Sequence, residues 1–195
     1  MPDGGSAEAT QNGIEVEDPA TGETIATVQD LGAEDVRAIV AAARAAQPGW
    51  EALGFDGRAE VLLAANRWMV ANAERVVGTI VSETGKPVDE TQLAELSYGL
   101  SALEFWAKKA PLYLADEQID SASPLVRGRR LVVRYAPLGV VGDIGPWNYP
   151  LINSFGDCIP ALAAGNAVVL KPSEVTPLTS LLMAEMQTWP ELLSG

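Results

Sequence analysis

Apolar residues recur at steps of three and four in two long stretches of this chain and gather into short unbroken runs elsewhere. In the first stretch, residues 58–84, Leu62, Ala65, Met69, Ala73, Val76 and Ile80 line one face of a helix. Gly85 and Pro87 stand where a helix C-terminus is followed by residues that cannot continue it. In the second stretch, Leu93, Leu96, Leu100, Leu103 and Ala107 form the core face, Asp89 and Gln92 make a capping pair at the start, and Pro111 ends the helix. Residues 33–47 predict a shorter helix with Glu34 and Asp35 in its first turn, where carboxylates favour the dipole, and Pro48-Gly49 closing it. Residues 50–57 read as a connector.

The short runs read as strands. Residues 14–17 and 24–28 flank Asp18-Pro19-Ala20-Thr21-Gly22-Glu23 as a hairpin. Residues 129–135 alternate, with Leu131, Val133 and Tyr135 opposite Arg130, Val132 and Arg134, as in an antiparallel strand with a wet face. The preceding 112–128 lacks a period and is expected to be irregular. Residues 138–144, bounded by Pro137 and Gly145-Pro146, and 167–170, entered through Gly165-Asn166 and left through Lys171-Pro172, are too short for free-standing helices. They look like strands of a parallel sheet covered on both faces. Residues 151–164 are then the crossover helix of a β-α-β unit, in which Pro160 kinks the helix or removes one of its hydrogen bonds. Thr176 and Pro177 supply the N-cap and first-turn proline of a last helix reaching residue 188. The fold class expected is α/β.

In open parallel sheets ligands bind beyond the carboxyl ends of the strands, and both unusual turns of this chain lie there. Pro146 and Pro150 bracket Asn148 and restrict the backbone that carries its amide. A fixed carboxamide can donate to a developing oxyanion, although an Asn between prolines also suits a turn in which the side chain bonds its own backbone. Trp147 offers a flat apolar wall with one N–H donor. Lys171 and Glu174 suit the hydroxyls of a ribose; as residues alone they equally describe a solvated ion pair.

Together these residues resemble the aldehyde dehydrogenase superfamily, in which one strand ends in a Pro-Trp-Asn-(aromatic)-Pro turn and the next, preceded by Ala-Ala-Gly-Asn, ends in Lys-Pro-Ser-Glu. Here the motifs are Pro146-Trp147-Asn148-Tyr149-Pro150 and residues 163–174. The likeness extends less sharply to Glu83-Thr84-Gly85-Lys86-Pro87 and to the Pro19-Ala20-Thr21-Gly22 turn, and so covers most of the chain after the first dozen residues. It implies the N-terminal part of the aldehyde dehydrogenase fold: helices plus an incomplete open Rossmann-like sheet, an N-terminal hairpin, and a bridging strand over 127–136 used in subunit assembly. A disordered tail is expected over 1–13, and 14–195 is expected to be the N-terminal part of a cofactor-binding domain.

The family oxidises an aldehyde to a carboxylic acid by thiolate attack, hydride transfer to NAD(P) and hydrolysis of the thioester. The resemblance implies that Asn148 donates to the oxyanion, that Ile144, Gly145, Pro146, Trp147 and Asn148 line the nicotinamide side of the cofactor groove, and that Lys171, Ser173 and Glu174 hold the adenosine ribose. A glutamate facing that ribose suits the free 2′-hydroxyl of NAD better than the 2′-phosphate of NADP. The nucleophilic cysteine, the activating glutamate and the glycine-rich turn of the family lie beyond the Lys-Pro-Ser-Glu motif and have no counterpart up to Gly195. Cys158 is no substitute, since it sits in the crossover helix among Phe155, Ile159 and Leu162. A catalytic domain is thus expected to be absent from this chain. The Pro-Trp-Asn turn favours the aldehyde-oxidising branch over enzymes of acyl phosphates.

Composition narrows the field further. The 195 residues suffice for one α/β domain with a sizeable core. Acidic residues number 26 against 13 basic ones, and a net charge of −13 repels phosphate backbones and anionic lipid, so neither nucleic acid nor a membrane is an expected partner. The basic cluster of Arg127, Arg129, Arg130 and Arg134 reads as a solvated or interface strand. No histidine is present to ligate a metal, and with a single cysteine no internal disulfide forms. A cytoplasmic setting is expected, with an aldehyde as the small-molecule substrate and a homo-oligomer for a full-length form. The alternatives from other classes are a non-catalytic dinucleotide-binding or partner-binding module and a scaffold fragment.

Overall fold

The computed structural model describes residues 13–120 and 128–187, so the tail over 1–12, Arg127 of the basic cluster and the far end of the last helix lie outside the described residues. Gly13, expected in the tail, already belongs to a strand. β1 (Gly13–Asp18) and β2 (Glu23–Gln29) pair antiparallel with a bulge at Val16/Glu17. Their turn closes on Asp18, whose carbonyl accepts from Thr21 and Gly22 and whose carboxylate accepts from Ala20 at 2.8 Å.

α1 (Ala33–Ala52) opens as its sequence predicts, with the Gly32 N–H donating to the Asp35 carboxylate at 2.9 Å. It does not stop at Pro48. The last turn and a half is held from outside: Gln47 donates to the Gly165 carbonyl and the Trp50 indole to the Leu162 carbonyl, at 3.0 and 2.9 Å. Tertiary anchoring therefore outweighs the hydrogen bond that the proline omits.

The single helix expected over 58–84 is two, α2 (Gly54–Ala71) and α3 (Ala73–Thr84). Asn72 separates them, leaving the helical region at φ −110° and ψ 21°, and both its backbone N–H and its side-chain amide donate to the Trp68 carbonyl at 2.9 Å. The apolar stripe nevertheless runs through both, with Leu62, Ala65, Met69, Val76 and Ile80 buried. Gly85 ends α3 in the left-handed region at φ 70°, as expected of a C-terminal glycine.

The next helical stretch departs from a single period. α4 (Val88–Glu90) passes into a π-helical turn, Thr91–Leu96, and then α5 (Ser97–Tyr113). The wider turn rotates the faces. Leu93, assigned to the core, is 78% exposed, while Glu95 is fully buried. The capping pair Asp89/Gln92 does not form; Pro87 takes the N-cap position with no side-chain cap. Pro111 does not end the helix, which runs two residues past it. Within the stretch expected to be irregular lies β3 (Glu117–Ile119), paired antiparallel with β4 (Leu131–Val133), the short centre of the strand expected over 129–135.

The β-α-β unit forms as read. β5 (Val140–Ile144) and β6 (Ala167–Lys171) are parallel, joined by a π-helical turn, Leu151–Phe155, and α6 (Gly156–Ala163). Pro160 lies inside α6, which continues past it to Ala163, and the crossover's irregularity, the π turn, lies upstream at Leu151–Phe155. α6 ends against a set of donors, since Arg58, itself buried, donates to the Ala163 carbonyl at 3.1 Å and Asn166 to the Ala161 carbonyl at 3.0 Å. The Asn166 oxygen also accepts the Gly139 N–H, tying the entrance of β6 to that of β5. Neither strand is covered on both faces: no residue of β5 or β6 is fully buried. With two strands, each is an edge, and the core lies among the helices α2, α3, α5, α6 and α7 (Leu178–Ala184) instead.

Candidate functional site

The candidate site lies at the carboxyl end of the β5–β6 ladder. In the parallel register Ile144 stands beside Lys171, and the Gly145 N–H donates to the Lys171 carbonyl at 3.0 Å, so the two turns begin side by side at one end of the sheet. Gly145 is buried because it packs on Ser154 of the crossover: a Cβ built there would fall 1.8 Å from the Ser154 Oγ. From that point the chain turns outward. Pro146, Trp147 and Asn148 are exposed, and the Asn148 carboxamide has no hydrogen-bond partner among the described residues. It is neither buried nor folded onto its own backbone.

The turn is fastened on both sides. The Trp147 carbonyl accepts from the Thr176 hydroxyl at 3.1 Å, from the segment that follows β6. Past Pro150, the Leu151 N–H donates to the buried Glu95 carboxylate at 2.9 Å. Lys86 pairs with the other oxygen of Glu95 and places its ammonium 3.4 Å from the centre of the Tyr149 ring, a cation–π contact. The Tyr149 hydroxyl donates to Glu90 at 3.2 Å. These partners were not assigned roles from sequence. The signal available was Lys86 within Glu83-Thr84-Gly85-Lys86-Pro87 and one carboxylate, Glu95, amid a helical apolar face.

In the second turn Lys171 and Glu174 are exposed and pair at 3.0 Å. The Glu174 carboxyl is held below its ordinary range, first by its own backbone N–H and then by Lys171. Ser173 is buried and its hydroxyl accepts the Val175 N–H at 3.2 Å, closing the turn locally. Thr176 is no N-cap to the helix that follows: Pro177 holds that position, and the Leu178 and Thr179 N–H groups donate instead to the buried carboxylate of Glu83, at 2.7 and 3.0 Å. α7 is thus capped from α3, and this residue too escaped assignment from sequence.

Cys158 is buried, as expected. Its thiol donates to Asp143 at 3.3 Å and to the Ser154 carbonyl at 3.4 Å, and burial, with the Asp143 charge behind it, pushes the thiol far above its ordinary range. Burial likewise raises the Asp143 carboxyl, against the Cys158 hydrogen bond. A thiol so placed stays protonated and is a poor nucleophile. Among the described residues no group of acidic or sulfur ligands could hold a metal ion, and no helix is long and apolar enough to cross a membrane.

A parallel β-α-β unit whose two strand-end turns begin side by side defines an open-sheet α/β protein. The family model described as the aldehyde dehydrogenase family matches residues 6–189, and the chain belongs to that family. Among solved structures, it resembles an E. coli NADP-dependent enzyme at 34% identity with a TM-score of 0.83, over 90% of this chain and 35% of that one. It resembles succinate-semialdehyde dehydrogenase from Burkholderia pseudomallei at 33% identity and 0.83, over 93% and 37%. A variant of aldehyde dehydrogenase C from Pseudomonas syringae, in complex with NAD+ and octanal, matches at 31% identity and 0.80, over 93% and 36%. The chain therefore spans little more than a third of the length of these structures.

Proposed function

We propose that the chain is the N-terminal portion of an NAD(P)-dependent enzyme that oxidises an aldehyde to a carboxylic acid, with residues 14–195 part of its cofactor-binding domain and 127–136 the bridging strand of a homo-oligomer. One observation carries the reading: the Gly145-to-Lys171 hydrogen bond sets the two turns side by side, with the Asn148 carboxamide exposed and unengaged beyond it. An oxygen gaining negative charge under thiolate attack would take the Asn148 N–H; the thiolate comes from another part of the enzyme, since Cys158 is buried and protonated. Lys171, Ser173 and Glu174 would hold the adenosine ribose, and Ile144, Gly145, Pro146, Trp147 and Asn148 the nicotinamide side. The residues fit such a ligand. Ile144 and Trp147 leave 78% and 62% of their surfaces uncovered at the strand end, apolar area suited to a flat ring, next to an exposed cation and carboxylate. When bound, the dinucleotide accepts the hydride.

In the full-length enzyme Asn148→Ala is expected to lower kcat about 10²- to 10³-fold, the usual effect of removing one oxyanion donor. A variant turning over at the wild-type rate would end the assignment. Cofactor choice would turn on Glu174, an exposed carboxylate that repels a 2′-phosphate on a ribose held there, so kcat/KM should be higher with NAD than with NADP. A higher value with NADP would reverse it. The buried thiol of Cys158 favours one other reading, a dinucleotide-binding module without turnover. The same assays separate the two, because such a module binds NAD and leaves aldehyde unchanged.

A further inference from the structure

We propose that Lys86 and Glu95 are positioning residues for the turn that carries Asn148, an inference that rests on the reading of Asn148 as the oxyanion donor. Pro146 and Pro150 each fix one backbone angle, but they leave open how the turn as a whole is set against the sheet. Pro150 has no N–H, so the first donor after the turn is Leu151, and it goes to Glu95 at 2.9 Å in a buried position. Glu95 is fully buried, and the cation paired with it is Lys86, with only 14% of its side chain exposed. The same ammonium lies 3.4 Å from the centre of the Tyr149 ring. The residues on either side of Pro150 are thus gripped by one ion pair, and Tyr149 immediately follows Asn148. Asn148 makes no side-chain contact of its own by hydrogen bond among the described residues, so its attitude is inherited from these neighbours. Two π-helical turns, Thr91–Leu96 and Leu151–Phe155, meet at this grip, and the first is what brings Glu95 inward in place of Leu93.

Neutralising both partners at once avoids stranding a buried charge. The double variant Lys86→Met, Glu95→Gln removes the pair and leaves an amide oxygen for Leu151. In the full-length enzyme its kcat/KM for aldehyde is expected to fall about tenfold or more, since small misplacements of a catalytic group are costly. The Kd for NAD, from fluorescence titration, should rise by much less than kcat/KM falls, since Lys171 and Glu174 on the other turn hold the adenosine end, and Lys86→Arg should retain most of the rate by keeping a cation over Tyr149. Introduced into Asn148→Ala, the double change should cost nothing further, because what it positions is gone. An unchanged kcat/KM, a matching rise in Kd, or an equal further loss in the Asn148→Ala background overturns the inference while leaving Asn148 in its role. Asn148→Ala at the wild-type rate overturns both.

Discussion

Gly145 is a position where space, not backbone conformation, excludes a side chain. It is absent from the residues with positive φ, yet an added Cβ would meet the Ser154 Oγ at 1.8 Å, its Cβ at 2.6 Å and its Cα at 3.1 Å. Only the first of these contacts could be relieved by a rotamer change. Gly145→Ala must therefore push the first turn away from the crossover, and a loss of about 1–3 kcal/mol is expected in urea denaturation of the folded protein. At this scale the sequence draws attention to residue types unusual for their place, Asn148 between prolines and Lys171 and Glu174 after a strand, and the structure finds all three exposed. The sequence is silent on Gly145 against Ser154, because a close approach between residues nine apart leaves no trace in either residue's identity.

Elements reveal a different limit. Apolar periodicity located the helical stretches over 58–84 and 93–107, but it assumes a constant turn, and the break at Asn72 and the π-helical turn at Thr91–Leu96 violate that assumption. The inversion of Leu93 and Glu95 follows directly, and so does the failure to see Glu95 as a cap. Glu83 repeats the device at α7: its carboxylate receives two backbone N–H groups and the Thr179 hydroxyl. Burial nonetheless holds its pKa above the ordinary value, outweighing the three donors and helped by the nearby charge of Glu95. The folded state then binds the proton more tightly than the unfolded chain. Stability from this group is full below the ordinary carboxylate range and is lost as pH rises through the elevated value. Urea midpoints followed from about pH 4 to pH 7 should show the wild type losing ground against Glu83→Gln, which cannot titrate; a constant gap would contradict the sign.

The whole molecule places its core in the helices and leaves its parallel strands half covered. Sequence predicted the β-α-β connectivity, and hence the side of the sheet on which to look, because short apolar runs between glycine and proline signal strands regardless of what flanks them. It overstated their burial: β5 and β6 read as central strands although each has one neighbour. Apolar composition does not record how many neighbours a strand has, and the matched structures are about two and a half times as long as this chain. The hydrogen bond from Gly145 to the Lys171 carbonyl has a consequence for how freely the two strand-end loops can separate. It is one more rung beyond Ile144, so the two loops leave the sheet from a common line, and moving either one relative to the other would first have to break this peptide-to-peptide bond.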